Sequence, residues 1–347
     1  GWPGLAPPAP VPVFDHDDPA THQAPPAARA DVVGEFVEAG PGLSAAGYCS
    51  SVGYEVFFAN SAGQRAPGRT SHATVDGIHR GSGAAAGGGW QSSPRLSDID
   101  GAAAGATAAG KARAGADASE LPPGRYQVVL EPPCVADLLD FLVGYGFSAK
   151  TYAEGRSVVR LGEVQFDPAV SLADDAGDPR AVSLAFDAEG TPRRRLDLVV
   201  DGVPTNLLHD RRTAAAAGTE STGHGTPGGE SYGPAPSTLV LAGGAAGVDQ
   251  LVAGVDRGLL ITEFWYTRIL DPKTQVVTGL TRNGVFLIEG GQVTRPVANL
   301  RFTQSYAEAL APGNVVAIGS DARLRGTDTI VPSVHLASWN FTGGARG

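Results

Sequence analysis

Val135, Leu138, Leu139 and Leu142 stand at i, i+3, i+4 and i+7, the spacing that gathers apolar side chains on one face of a helix. Pro132 and Pro133 suit its first turn, and Gly144 or Gly146 its end. Just before it, residues 125–131 alternate, with Tyr126, Val128 and Leu130 on one side of a strand. Residues 27–38 carry Val32, Val33, Phe36 and Val37 at helical offsets. A third, alanine-rich helix is expected from Ser97 to about Ala116, with Asp98 and Asp100 at its positive start. Strand-like runs occupy residues 45–51, 53–59, 70–79, 180–187, 196–203, 238–242 and 259–270. Within 275–294, Asn283-Gly284 and Gly290-Gly291 each lie between β-type runs and predict tight hairpins. Residues 81–89 read as a glycine–alanine loop. Residues 214–236, rich in Gly, Ser, Thr and Pro, show no hydrophobic period and predict a long loop, of a length that is usually functional or disordered.

This order of elements predicts an α+β protein with a mixed helix/strand N-terminal part and a largely antiparallel, β-rich C-terminal domain. The punctuation at 120–124 sets the expected division. Residues 1–26, with eight prolines, form an extended linker or arm rather than a packed element. Residues 27–120 form an N-terminal α+β domain, and residues 121–347 the C-terminal one.

Composition narrows the function classes. The chain has 347 residues, 42% of them hydrophobic and 18% charged, enough to bury a core. Its net charge of −10 argues against nucleic acid or anionic lipid as partners. No run approaches eighteen apolar residues, so no membrane span is expected. Two cysteines cannot build a disulfide framework, which points to a reducing, cytoplasmic setting. With no methionine and an opening of Gly1-Trp2-Pro3-Gly4, the chain reads as processed or partial.

Searches for local chemistry return little. The histidines at 16, 22, 72, 79, 209, 224 and 335 form no H-E-x-x-H, and neither Cys49 nor Cys134 has a C-x-x-C partner. Gly243 to Gly247 follows a strand and precedes a helix, yet matches no phosphate-loop pattern and reads as a structural turn. Cys134 stands at a helix start but reads as buried and inert.

Resemblance carries the reading further. Gly258-Leu-Leu-Ile-Thr-Glu-Phe-Trp-Tyr, then Leu270-Asp-Pro-Lys-Thr-Gln, then Gly284-Val-Phe-Leu-Ile-Glu-Gly-Gly-Gln-Val-Thr-Arg-Pro-Val, resembles the TldD/PmbA family, related to metallopeptidases. The ending from Val331 to Gly343 is similar to its TldE (PmbA) branch. The resemblance implies that part of the N-terminal domain is absent. It also implies a helix bearing His-Glu-x-x-x-His, whose histidines bind zinc beside a C-terminal cysteine while the glutamate acts as base. Here those positions hold Asp140, Phe141 and Tyr145, and residues 320–347 contain no cysteine.

The implied protein is a catalytically silent TldE-like subunit, carrying no cofactor itself. It would pair with a TldD-like subunit that holds the zinc, the heterodimer acting on unfolded or modified peptides. Two alternatives stand beside it: a metallopeptidase in its own right with an atypical site, and a stand-alone homodimeric peptide-binding protein. Glu220, His224, Glu230 and Tyr232 of the long loop are the expected peptide contacts, on a segment that orders when the complex forms.

Overall fold

The structure is a computed structural model and describes residues 2–83 and 85–345. Its N-terminal part opens with an extended arm and a short helix α1 (Pro19–His22), then α2 (Pro26–Glu38). Three antiparallel strands follow, β1 (Ser44–Ala59), β2 (Arg65–Arg80) and β3 (Ala86–Ser93), and the alanine-rich α3 (Gly101–Ala114), capped by Asp100.

Beyond it come β4 (Gly124–Leu130), α4 (Pro132–Gly146) and α5 (Ala149–Ala153). A run of short elements then includes β5 (Leu172–Asp174), β6 (Leu196–Val200), β7 (Val203–Pro204), α6 (Arg211–Ala217), α7 (Gly229–Tyr232), β8 (Leu239–Leu241) and α8 (Val248–Ala253). The last stretch holds β9 (Arg257–Asp271), β10 (Val276–Glu289), β11 (Gln292–Pro296), β12 (Leu300–Ser305), α9 (Tyr306–Ala309), β13 (Val315–Ile318), β14 (Arg323–Arg325), β15 (Thr329–Val331) and β16 (Val334–Gly344).

Pairings run β9–β10–β12–β16–β4 and return to β9, so the large sheet closes into a ring. Within it β4 and β9 are parallel, with β4 held between β9 and the final strand. A further sheet has the order β14-β15-β8-β5-β6-β7. The main core joins the two: Leu138, Leu139 and Leu142 of α4 are almost wholly buried with Leu172, Leu198, Phe302 and Trp339.

Four expectations need correction. The 1–26 arm is extended, but it is packed. His16 is buried with its ring nitrogens on the carbonyls of Asp178 and Ser183, and Thr21 of α1 is buried too. The glycines of 81–89 do not all form a loop, because Gly87–Gly89 lie in β3. A Cβ on Gly89 would sit 2.0 Å from the Ala104 carbonyl, and one on Gly87 2.2 Å from that of Ala108, so these glycines let α3 lie directly on the strand.

Asn283-Gly284 is no hairpin either. Both have positive φ, and β10 continues through them as a bulge in its pairing with β9. The chain actually reverses at Pro272–Thr274, where the Asp271 carboxylate accepts from Lys273 N and Thr274 Oγ1. Residues 180–187 are irregular rather than a strand. Their end is a turn in which Asp187 accepts from the amides of Glu189, Thr191 and Gly225.

Candidate functional site

Helix α4 buries one stripe, and its other side carries Asp137, Asp140, Phe141 and Tyr145. Cys134 belongs to the buried part. Burial pushes its thiol well up, neighbouring Glu131 adds to this, and its only partner is the Ile261 carbonyl at 3.6 Å. It is inert, as expected.

Asp137, one turn on, accepts from Thr267 Oγ1 at 2.6 Å and Tyr306 Oη at 2.7 Å. Burial raises its carboxyl, and these two hydrogen bonds oppose the rise. Phe141 stacks on Tyr145 at 6.1 Å and meets the edge of Tyr306 at 5.9 Å. Asp140 remains open to solvent, yet protein crowds its carboxyl. It lies 3.2 Å from Thr329 Oγ1, which is also 3.2 Å from Asp328 Oδ1. One hydroxyl proton cannot serve both carboxylates at once. Desolvation, and then the charge of Asp328, push Asp140 up to about 7. Desolvation raises Asp328 as well.

These residues do not fit zinc. A catalytic zinc needs three protein ligands and an open position, and its hydrolytic chemistry needs a base. Phe141 has no donor atom, and the Tyr145 ring is engaged in the stack. Among the described residues, no three of His, Cys, Asp and Glu gather as ligands.

Residues 214–236 differ from the expected mobile loop. Helix α6 begins with a capping box at Asp210 and Thr213, and α7 follows. His224 is buried, with Nδ1 2.8 Å from Thr222 Oγ1 and Nε2 3.2 Å from the Asp174 carboxylate. Burial raises Asp174, but His224 and Ser237 outweigh it and hold the carboxyl below its usual range. His224 is therefore a brace inside the fold and no surface contact. Glu220, Glu230 and Tyr232 are exposed, so the structure separates His224 from the other three.

Sequence reasoning missed Asp137, Tyr306, Asp328 and Thr329. Asp137 had a signal, since it falls one turn before Asp140 on the same helix. The others reach α4 only through tertiary folding.

The comparisons follow this geometry. The profile of the PmbA/TldA metallopeptidase C-terminal domain matches residues 123–343, and the chain belongs to this TldD/PmbA family of metallopeptidase-related proteins. A metalloprotease of Methanothermobacter thermautotrophicus is 28% identical over 218 residues, covering 60% of this chain and 45% of that protein. The metalloprotease PmbA of Escherichia coli O157:H7 is 26% identical over 161 residues, covering 45% and 32%. The chain thus spans less than half the length of these curated relatives.

Among solved structures, a proposed modulator of a DNA gyrase from Thermotoga maritima superposes with a TM-score of 0.88 at 20% identity, covering 98% of this chain and 80% of that one. TldE from Thermococcus kodakarensis gives 0.86 at 19% identity, covering 99% and 80%. At such identities the likeness establishes the fold. No helix among the described residues is long and apolar enough to cross a membrane.

Proposed function

We propose that this chain is the non-catalytic, TldE-like subunit of a two-subunit peptidase, pairing with a TldD-like subunit that carries the zinc. One observation carries the reading: where the family's base and second histidine would stand, Phe141 and Tyr145 form an aromatic stack against Tyr306. That side of α4 has exchanged metal ligands for packing, so its contribution is to shape the complex rather than to cleave. The unpaired Cys49 and Cys134 suit a reducing, cytoplasmic setting.

The test uses the chain alone, a TldD-like subunit with an intact His-Glu-x-x-x-His, and their mixture, each assayed on an unfolded peptide with and without chelator. The mixture should cleave in a chelator-sensitive way, and the chain alone should neither cleave nor hold stoichiometric zinc. Chelator-sensitive cleavage by the chain alone overturns the proposal.

A further inference from the structure

A groove of about 760 Å³ lies between the small β1–β3 sheet and the strand ring, and none of its lining residues belongs to α4. Its floor is the middle of β10, from Leu280 to Val285, with Trp265 of β9. Its walls are the β2–β3 connection and the chain leaving α3. The volume lies in the range of ligand sites.

The lining carries more positive than negative charge. In a chain of net charge −10, the groove presents Arg80 and Arg282 against one carboxylate, Asp117. Among the described residues, neither arginine has a carboxylate within 4 Å. Glu263 stands opposite Arg282 in the strand register, but its carboxylate is taken by Asn283 Nδ2 at 2.6 Å. The Arg282 guanidinium instead lies 4.1 Å over the half-exposed ring of Trp265. Arg301, paired with Leu280 across the strands, adds a further positive charge beside the floor.

A guanidinium fork matches a carboxylate with two parallel hydrogen bonds, and the indole face accepts an apolar neighbour. Much of the remaining wall is glycine and alanine, such as Gly83, Ala86 and Ala118, which leaves room for a backbone to approach.

We propose that this groove binds an extended peptide segment through its acidic side chains, with Arg80 and Arg282 as the carboxylate receptors and Trp265 beneath Arg282. The inference rests on the peptide-processing reading for its choice of ligand, whereas its evidence is the groove itself.

The experiment measures fluorescence anisotropy of this chain alone with three labelled, unstructured peptides that differ only in carrying glutamate, glutamine or lysine. The glutamate peptide should bind roughly tenfold more tightly than the glutamine peptide, with the difference shrinking in high salt. Arg80→Ala with Arg282→Ala should erase the difference. Arg80→Glu with Arg282→Glu should turn the preference to the lysine peptide, an outcome that misfolding cannot mimic. Equal binding of the glutamate and glutamine peptides, or a double variant that still discriminates, overturns the proposal. So does a single-stranded oligonucleotide that binds where the glutamate peptide does not. Selective peptide binding without partner-dependent cleavage would sink the two-subunit reading and leave the groove standing. Cleavage without selective binding would do the reverse.

Discussion

A carboxyl group held at about 7 is half charged in neutral water, and that is where Asp140 stands. In the unfolded chain it ionises near the ordinary value of 3.8. Because its folded pKa is raised, the native state binds the extra proton between about pH 4 and pH 7, and stability falls as pH rises through that window. Above it the cost is fully present, since Asp140 is then charged in surroundings that desolvate its carboxylate. Asp140→Asn removes the charge and keeps an oxygen for Thr329. The variant should melt with the parent near pH 4 and about 2 °C above it at pH 8, the discount for solvent contact being included. Thermal unfolding at the two pH values checks this, and equal melting at pH 8 would contradict it. At this scale the resemblance assigns the motif positions to Asp140, Phe141 and Tyr145. The Asp328 carboxylate was not, since 188 positions separate the pair and only the docking of the β14–β15 hairpin on α4 makes them neighbours.

Among the elements, α4 carries the positions that the resemblance matches to the zinc motif. Asp140→His, Phe141→Glu and Tyr145→His together would write the family motif back onto the helix. The new glutamate would replace a ring that packs against Tyr306, next to Asp137, whose carboxyl is already raised by burial. An added carboxylate there costs about 1–3 kcal/mol. The triple variant should unfold at lower denaturant, bind zinc weakly and show no peptide cleavage above background. Denaturant titration with elemental analysis tests each part.

Strand β3 and helix α3 make a second case. Gly89→Ala would drive a methyl into the Ala104 carbonyl, so the pair must separate, at a cost of about 1–3 kcal/mol. A loss of stability too small to measure would show that the contact is not tight.

Helices α2 and α4 were legible because their apolar spacing is regular and their prolines mark the starts. The glycines of β3 and Asn283-Gly284 were misread for a common reason. A local turn signal cannot be told from a close approach or a bulge until the partner element is known.

At the scale of the whole molecule, the N-terminal arm ties its parts together. Asn60 Nδ2 donates to the Ala6 carbonyl, Ala9 N to Gln64 Oε1 and Ser71 N to the His16 carbonyl, while the His16 ring meets the carbonyls of Asp178 and Ser183. The arm therefore lies between the small sheet and the segment from Asp178 to Gly190. Deleting residues 2–18 should leave the strand ring folded while raising amide exchange at Ser71 and through residues 178–191. Hydrogen exchange by mass spectrometry reads both regions, and unchanged protection at both would show that the arm is dispensable. The α+β class was legible in the order of elements. The ring was not, because a parallel β4–β9 pairing leaves no local pattern to separate it from an antiparallel one.

The arm and β4 also impose a schedule. The partners of His16 leave the ribosome about 160 residues after it, at separations of 162 and 167. At roughly 5–20 residues per second, this is a wait on the order of 10–30 s. Strand β4 waits longer, since its flank is closed by β16, whose pairing begins at Val334. The large sheet can complete itself only once β16 has emerged. Until then the Val128 and Leu130 side and the free edge of β4 are open to whatever else is nearby. Closure of the ring thus waits on a strand about 200 residues downstream of β4, and a nascent chain stalled before residue 334 would be a substrate for chaperones rather than a nearly finished ring.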